Sequence, residues 1–221
     1  MTATERCPVC RAAGAVHFLA LAAARYWRCP TCLATFRDPA ERPEADAERA
    51  HYLLHENDPA DPRYRAFLAR LATPLLERIA PASEILDFGC GPGPALAAML
   101  AEAGHTVSIF DPFFRPDQAA LARRYDVITC TEAAEHFHQP ADEFDRLDAM
   151  LRPGGWLAIM TCFQTDDARF ERWHYRLDPT HVVFYREATL RHVAEARGWQ
   201  FACPAKDVAL MRKPVSGRDS R

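Results

Sequence analysis

Short apolar runs alternate with amphipathic segments through the middle of the chain. The apolar runs have the length of buried strands, and they cover residues 84–88, 106–110, 125–131 and 156–161. Between them, residues 94–104 and 140–151 repeat their apolar positions at helical spacing. Alternating strands and helices of this kind predict an α/β domain built around a largely parallel sheet.

The flanking segments complete this pattern. Residues 63–80 carry apolar side chains three and four positions apart, which predicts an amphipathic helix packed on the sheet. Residues 187–198 predict a further helix, and 199–203 with 208–212 predict a closing antiparallel pair. The stretch 162–185 is aperiodic and rich in aromatic and polar residues, as is typical of a lid or a binding loop.

A glycine-rich turn follows the first predicted strand. Asp87 stands near the end of that strand, and glycines 89, 91 and 93 lead into the next helix. Bare backbone at a helix N-terminus can lie close to a ligand. Asp111 ends the following strand, where a nucleoside-binding βαβ unit places its ribose-binding carboxylate. A pyrophosphate would be repelled by Asp87, whereas a cationic ligand would be attracted.

Three segments carry a resemblance to a known family. Ile85–Gly93 resembles motif I of the class I S-adenosylmethionine (SAM) methyltransferases, and Tyr125–His136 resembles their fourth-strand motif. Leu151–Leu157 is similar to the turn before their fifth strand, and Glu135-His136 resembles the Glu-His of the ubiquinone-biosynthesis-like O-methyltransferases. The resemblance implies a Rossmann-like sheet closed by an antiparallel hairpin, with SAM as cofactor. The cofactor-binding residues that it implies are Asp87, Gly89, Cys90, Gly91, Gly93, Asp111, Pro112, Thr131 and Glu132.

The chain departs from that family between Asp111 and Asp126. Residues 112–125 can hold one crossover but not two crossovers with a strand between them. We therefore predict that the third strand, which lies at the sheet edge in the family, is missing. That strand usually carries the acidic residue that contacts adenine. Phe113 and Phe114 either stack on that side of the pocket or belong to the core.

Methyl transfer is an in-line displacement that needs alignment and, for a hydroxyl or an acidic carbon, removal of a proton. His136 and His181 are the candidate general bases, since an imidazole titrates near neutral pH. The candidate substrate-binding residues, which can equally pack a lid or a solvated connector, are Trp173, His174, Tyr175, Asp178, Tyr52 and His55.

Two Cys-x-x-Cys pairs stand near the N-terminus, Cys7 with Cys10 and Cys29 with Cys32. Their spacing matches a zinc ribbon that binds one Zn²⁺ through four thiolates. Four thiolates leave no open coordination position, so the predicted zinc is structural. Cys90 lies within the glycine turn and is interpreted as a small packing residue.

These segments divide the chain into a ribbon (1–38), a linker and pocket-mouth segment (39–62), the methyltransferase domain (63–213) and a flexible tail (214–221). The formal net charge is −3 with 49% hydrophobic residues, which indicates a soluble globular protein and argues against nucleic acid as a partner. Neither a signal peptide nor an apolar run of membrane-spanning length is present, so a cytoplasmic location is expected. The oligomeric state is not predicted.

Three functions are compatible with these features. The first is a methyltransferase acting on a small-molecule acceptor. The second is an RNA methyltransferase in which the ribbon, with its basic and aromatic segment 25–28, holds the nucleic acid. The third is a zinc-dependent adaptor that keeps the fold without the activity.

Overall fold

The computed structural model describes residues 5–22, 24–54 and 58–215. The strands are β1 (Val16–Leu21), β2 (Ala24–Arg28), β3 (Thr35–Arg37), β4 (Glu84–Phe88), β5 (Thr106–Phe110), β6 (Tyr125–Thr131), β7 (Leu151–Met160), β8 (Val183–Phe184), β9 (Gln200–Ala205) and β10 (Val208–Arg212). The helices are α1 (Ala45–Tyr52), α2 (Pro62–Leu76), α3 (Ala95–Glu102), α4 (Gln118–Leu121), α5 (Pro140–Met150), α6 (His174–Leu177) and α7 (Glu187–Glu195), with 3₁₀ turns at Pro39–Glu41, Ala134–His136 and Phe170–Arg172. Within the described ranges, no helix has the length and apolar character needed to cross a membrane.

The larger sheet has six strands in the order β5-β4-β6-β7-β10-β9. The first four run parallel to one another, and β10 and β9 close the sheet with antiparallel pairing. The predicted Rossmann-like sheet with its closing hairpin is therefore confirmed.

The edge of this sheet lies at β5. After β5 the chain forms only the single-turn helix α4 before it returns to β6 on the far side of β4. In the described part of the chain no strand pairs outside β5, so the predicted loss of the third strand is confirmed. The connection is too short for a second crossover, as the sequence indicated.

Helices cover both faces of the sheet because successive side chains of a strand point to opposite faces. Ile85 of β4 packs in a buried cluster with Leu71 and Leu75 of α2. Its neighbour Leu86 belongs to the opposite cluster, together with Phe144 of α5. Such strands are apolar on both faces, which is why the sequence shows them as continuous apolar runs.

Two segments differ from the sequence-based expectation. Residues 45–52 were expected to form part of an irregular linker, but they form helix α1. Residues 152–155 were expected to form a turn before a strand, but β7 runs through them from Leu151 to Met160. The register between β6 and β7 shifts there, and Gly154 has φ of +79°, so the chain makes its turn as an irregularity within the strand.

A second sheet joins the N-terminal segment to the rest of the molecule. Its four strands lie in the antiparallel order β1-β2-β3-β8. Thr35 and Phe36 of β3 pair with Phe184 and Val183 of β8, which belongs to the long segment before α7. The N-terminal segment is therefore joined to the rest of the molecule through β8.

Candidate functional site

The carboxyl ends of β4, β5 and β6 surround a cavity of about 640 Å³. Parallel α/β sheets bind their ligands at this edge. Every residue that the sequence pointed to for cofactor binding lines the cavity: Asp87, Gly89, Cys90, Gly91, Gly93, Asp111, Pro112, Thr131 and Glu132. Both candidate bases, His136 and His181, also line the cavity.

The glycine turn is held against the end of β5 by its own amides. The amides of Gly89 and Cys90 donate to the carbonyl of Phe110, at 2.8 and 3.2 Å. Gly89 has φ of +77°, and a Cβ there would stand 2.5 Å from the Cβ of Ala133. Glycine is therefore required at position 89 both by backbone conformation and by close approach.

Asp111 is fixed by three backbone amides. Its Oδ2 accepts from Gly91 at 3.0 Å, and its Oδ1 accepts from Phe113 and Phe114 at 2.8 and 3.0 Å. These bonds shape the loop that replaces the missing strand and bring Pro112 and Phe113 to the cavity wall. An ionised carboxylate has about four acceptor positions, so Asp111 retains capacity for a ligand hydroxyl.

Asp87 is a buried carboxyl group on the cavity wall. Its side chain accepts a hydrogen bond from the Thr129 hydroxyl at 2.7 Å, and the residue is 3% exposed. Burial raises the pKa of Asp87 from 3.8 to about 6, with a further rise from the neighbouring Asp111 and an opposing effect of the Thr129 hydrogen bond. A cation in the cavity would stabilise the ionised form.

Glu132 follows β6 with a left-handed backbone, at φ of 48°. Burial and the charge of Glu135 raise the pKa of Glu132, which favours its protonated form. Thr131 beside it has a buried hydroxyl with no hydrogen-bond partner within the described protein. The Thr131 hydroxyl therefore offers the cavity a polar group that the described protein does not use.

Glu135, His136 and His181 form a compact cluster at the other side of the cavity. The Nε2 atoms of His136 and His181 lie 3.8 and 3.9 Å from Oε1 of Glu135. The two imidazole rings meet edge to face with their centroids 4.7 Å apart. Burial lowers the pKa of His181, which favours its neutral form. The two candidate bases are thus brought into one unit with a carboxylate.

The candidate substrate residues divide into two groups. Tyr52 and Asp178 line the cavity. Trp173 and His174 instead line a separate surface depression, and Tyr175 is buried behind the ring of His181 at a centroid distance of 4.1 Å. His55 lies outside the described residues.

Some cavity residues were not singled out by any motif. They come from distant parts of the sequence and include Glu48, Tyr64, Phe67 and Arg146. Glu48 is buried, and its carboxylate pairs with Nε2 of His138 at 2.8 Å. A signal for Glu135 was present in the Glu132-x-x-Glu135-His136 spacing, but the sequence does not reveal its burial.

The four N-terminal cysteines converge on one point. Their sulfur atoms all lie within 4.8 Å of one another, and the Cys7–Cys32 and Cys10–Cys29 sulfur pairs are each 3.6 Å apart. Zinc–sulfur bonds of about 2.3 Å in tetrahedral geometry place sulfurs about 3.8 Å apart. The donor set and its geometry therefore fit a four-thiolate zinc site.

The two cysteine turns have matching backbones. The amide of Arg11 donates to the carbonyl of Cys7 at 2.9 Å, and that of Leu33 donates to Cys29 at 3.0 Å. Arg11 and Leu33 both adopt left-handed conformations, with φ of 59° and 63°. The two turns therefore share one backbone conformation, and their four sulfurs meet at one point.

Comparison with known proteins gives a family match and several similar folds. A family model described as "Methyltransferase domain" matches residues 55–203. A curated ubiquinone biosynthesis O-methyltransferase of Salmonella arizonae is 31% identical over 102 residues, covering 35% of this chain and 42% of the relative. The match therefore spans less than half the length of that relative.

Two solved structures have similar folds. An O-methyltransferase family protein from Burkholderia thailandensis gives a TM-score of 0.52 at 18% identity, covering 79% of this chain and 64% of that one. Magnesium protoporphyrin IX methyltransferase from Synechocystis, solved with bound SAH, gives a TM-score of 0.51 at 15% identity. The match covers 77% of this chain and 94% of that one. At these identities the similarity establishes the fold.

Proposed function

The chain belongs to the methyltransferase-domain family, and on this basis we propose that it transfers a methyl group from SAM to a small-molecule acceptor. The observation that carries the proposal is the pair Asp87 and Asp111, which stand at neighbouring strand ends on one cavity. Asp87 would face the cationic methionine end, and Asp111 would accept from the ribose hydroxyls. Thr131 and Glu132 complete the same wall.

The acceptor class follows from the size of the cavity and from the relatives. A volume of about 640 Å³ lies within the range of small-molecule sites, about 300–1,000 Å³. The Salmonella relative is named an O-methyltransferase, so we take oxygen as the acceptor atom. The Glu135–His136–His181 cluster is our candidate for promoting loss of the hydroxyl proton, and Tyr52 and Asp178 are candidate contacts to the acceptor.

The transfer step depends mainly on the alignment of the acceptor oxygen with the methyl carbon of SAM. The acceptor oxygen must approach the methyl carbon to within about 3–3.5 Å on the side opposite to sulfur. The new O–C bond forms as the C–S bond breaks, and its electron pair remains on sulfur as SAH. The protein contributes by fixing both reactants and by excluding water from the cavity.

We assign the four cysteines to a structural Zn²⁺ that holds the ribbon, residues 1–38, against the methyltransferase domain, residues 63–213. The segment between them, residues 39–62, would contribute Glu48 and Tyr52 to the pocket. Support comes from the sulfur geometry and from the pairing of β3 with β8. Because β8 follows the loop that carries Asp178 and His181, the ribbon would steady the acceptor side of the cavity.

The RNA alternative finds little support in the basic and aromatic segment of the ribbon. Tyr26 and Trp27 are buried, at 2% and 5% exposure. Arg25 pairs with Asp38 and Glu41, and Arg28 pairs with Asp167. Side chains used in this way do not offer a stacking platform for bases.

The test measures SAM binding first and transfer second. The zinc-loaded protein is titrated with SAM and SAH by calorimetry, and methyl-labelled SAM is then offered with a panel of hydroxylated small molecules and, separately, with RNA. Label in a small-molecule ether supports the proposal, and label in RNA favours the second function. A protein that binds neither SAM nor SAH would be the inactive adaptor.

A further inference from the structure

The Glu135–His136–His181 cluster contains an unsatisfied buried carboxylate. Glu135 is 0% exposed, and neither of its carboxylate oxygens has a hydrogen-bond partner within the described protein. A buried charged group without partners costs several kcal/mol, so such groups are normally paired or bound to a cation. The Nε2 atoms of His136 and His181 face this carboxylate, at 3.8 and 3.9 Å from its Oε1. These distances are too long for hydrogen bonds.

The backbone fixes the orientation of both imidazole rings. Nδ1 of His136 lies 3.1 Å from the carbonyl of Thr180, and Nδ1 of His181 lies 2.7 Å from the carbonyl of Tyr175. A carbonyl only accepts, so each Nδ1 carries the proton and donates it. In the neutral rings, each Nε2 then has a lone pair on the side of Glu135. Histidines that bind metals are held in this way, with the second nitrogen donating to a carbonyl or a carboxylate.

We propose that Glu135, His136 and His181 bind a divalent transition-metal ion, distinct from the four-cysteine site. The three ligand atoms lie within 4.8 Å of one another. Bonds of about 2.0–2.2 Å in tetrahedral geometry would place them about 3.4 Å apart, so a small closure of the side chains suffices. Two imidazoles and one carboxylate suit Zn²⁺, Fe²⁺, Co²⁺ or Mn²⁺ and leave coordination positions open.

The position of the site suggests that the ion activates the acceptor hydroxyl, an inference that rests on the proposed function. All three ligands line the cavity, so the open positions face the acceptor. A hydroxyl oxygen bound there loses its proton to water more readily because the metal lowers its pKa. The resulting alkoxide or phenolate attacks the methyl carbon, and the C–S electron pair leaves with sulfur. The acceptor class is therefore an alcohol or a phenol.

A proton on His181 is the alternative to a metal ion in this cluster. Oδ2 of Asp178 lies 3.8 Å from Nε2 of His181 and 3.2 Å from Nε2 of His51. A protonated His181 placed between Glu135 and Asp178 would form an ion-paired cluster that binds no metal. Metal binding decides between the two arrangements.

The experiment counts metal ions on the intact protein. The wild type is equilibrated with Zn²⁺ and analysed for zinc per chain; the zinc-loaded protein is then titrated with Mn²⁺ and followed by electron paramagnetic resonance. Mn²⁺ prefers nitrogen and oxygen donors, so it does not replace zinc at four thiolates. We expect two zinc ions per chain, or one zinc and one Mn²⁺ when Zn²⁺ is limiting.

Matched variants locate the second ion. Glu135→Gln and His181→Gln should weaken the second site at least about 100-fold while the first zinc is retained. Glu195→Gln and His192→Gln, on α7 outside the cavity, are the controls and should bind as the wild type does. Circular dichroism verifies folding. A wild type with a single zinc and a flat Mn²⁺ titration overturns the proposal, as does a second ion that persists in both variants.

SAM binding distinguishes this inference from the proposed function. If SAM binds and methyl transfer proceeds at an undiminished rate without a second metal, the role of the ion in the transfer is refuted while the methyltransferase function stands. If the metal binds at Glu135 but SAM does not, the metal site stands and the proposed function fails.

Discussion

Thr129 on β6 donates a 2.7 Å hydrogen bond to Oδ1 of Asp87 on the neighbouring β4. Both side chains are buried, and none of the ion pairs found among the described residues includes Asp87. One hydroxyl does not offset the loss of water around a carboxylate, so the pKa of Asp87 rises to about 6. A cation bound beside Asp87 would therefore favour its ionised form and lower this pKa.

Asp87 should make SAM binding dependent on pH. Since the cationic cofactor favours the ionised carboxylate, affinity is expected to rise from pH 5 to about pH 7, through the pKa of about 6, and then to level off. Asp87→Asn should remove this dependence and weaken SAM binding about 100-fold or more, in line with the loss of one partner of a buried ion pair. Calorimetry across this range checks it, with the exposed Asp46→Asn as control. Unchanged affinity in Asp87→Asn would refute the cofactor assignment.

The same group should destabilise the SAM-free protein above pH 6. A folded-state pKa raised from 3.8 to about 6 contributes stability below about pH 4, and this stability is lost as the pH rises through 6. At about 1.4 kcal/mol per pKa unit, the loss amounts to about 3 kcal/mol. The difference in unfolding free energy between Asp87→Asn and the wild type should therefore shift by up to this amount in favour of the variant between pH 4 and pH 8. Urea unfolding at both pH values measures it, and a constant difference would contradict the raised pKa.

Two glycines allow backbone strain to be separated from steric overlap. Gly89 and Gly104 both have positive φ, at +77° and +92°. A Cβ at position 89 meets Ala133 at 2.5 Å, whereas at 104 nothing lies within 4 Å. Gly104→Ala should cost about 1–2 kcal/mol through backbone strain alone. Gly89→Ala should cost a further 1–3 kcal/mol or so from overpacking and should weaken SAM binding as well. Equal losses of unfolding free energy would show that the contact with Ala133 relaxes freely.

The sequence predicted the sheet well because its strands are buried on both faces. A largely apolar run such as Tyr125–Thr131 can bury its side chains on both faces only in the centre of an α/β sheet. The short connection after Asp111 was equally informative, since chain length alone excludes another crossover. Helix α1 was missed because it is largely polar. Its buried Glu48 is held by His138, a contact between residues far apart in the chain.

The site was predictable only in part. Motif spacing identified the residues at the ends of β4, β5 and β6, which are adjacent because parallel strands end at one edge. It could not show that the turn amides of Gly89 and Cys90 are used by the Phe110 carbonyl. Nor could it show that Glu135 is fully buried against two histidines. Both features depend on tertiary packing and leave no local pattern.

The pairing of β3 with β8 leads to a prediction about the zinc ribbon. Cys10→Ser removes one of the four converging sulfurs, whereas Cys203→Ser changes a half-buried cysteine on β9 far from them in the sequence. Zinc bound by such sites contributes on the order of 10–16 kcal/mol to the folding of the module that holds it. Cys10→Ser should therefore lower the zinc content by one ion per chain and lower the thermal unfolding temperature, while Cys203→Ser leaves both nearly unchanged.

Loss of the ribbon should also affect one side of the cavity more than the other. Thr35 and Phe36 hold the strand that follows the loop carrying His181, whereas Asp87 and Asp111 depend on the central sheet. In Cys10→Ser the kcat/KM for the acceptor is expected to fall about 10-fold or more, since a misplacement of about 1 Å can cost 100-fold in rate. The Kd for SAM should stay within about 3-fold of the wild-type value, because the glycine turn is held by β5. Equal weakening of both would mean that zinc stabilises the whole domain and not the acceptor side in particular.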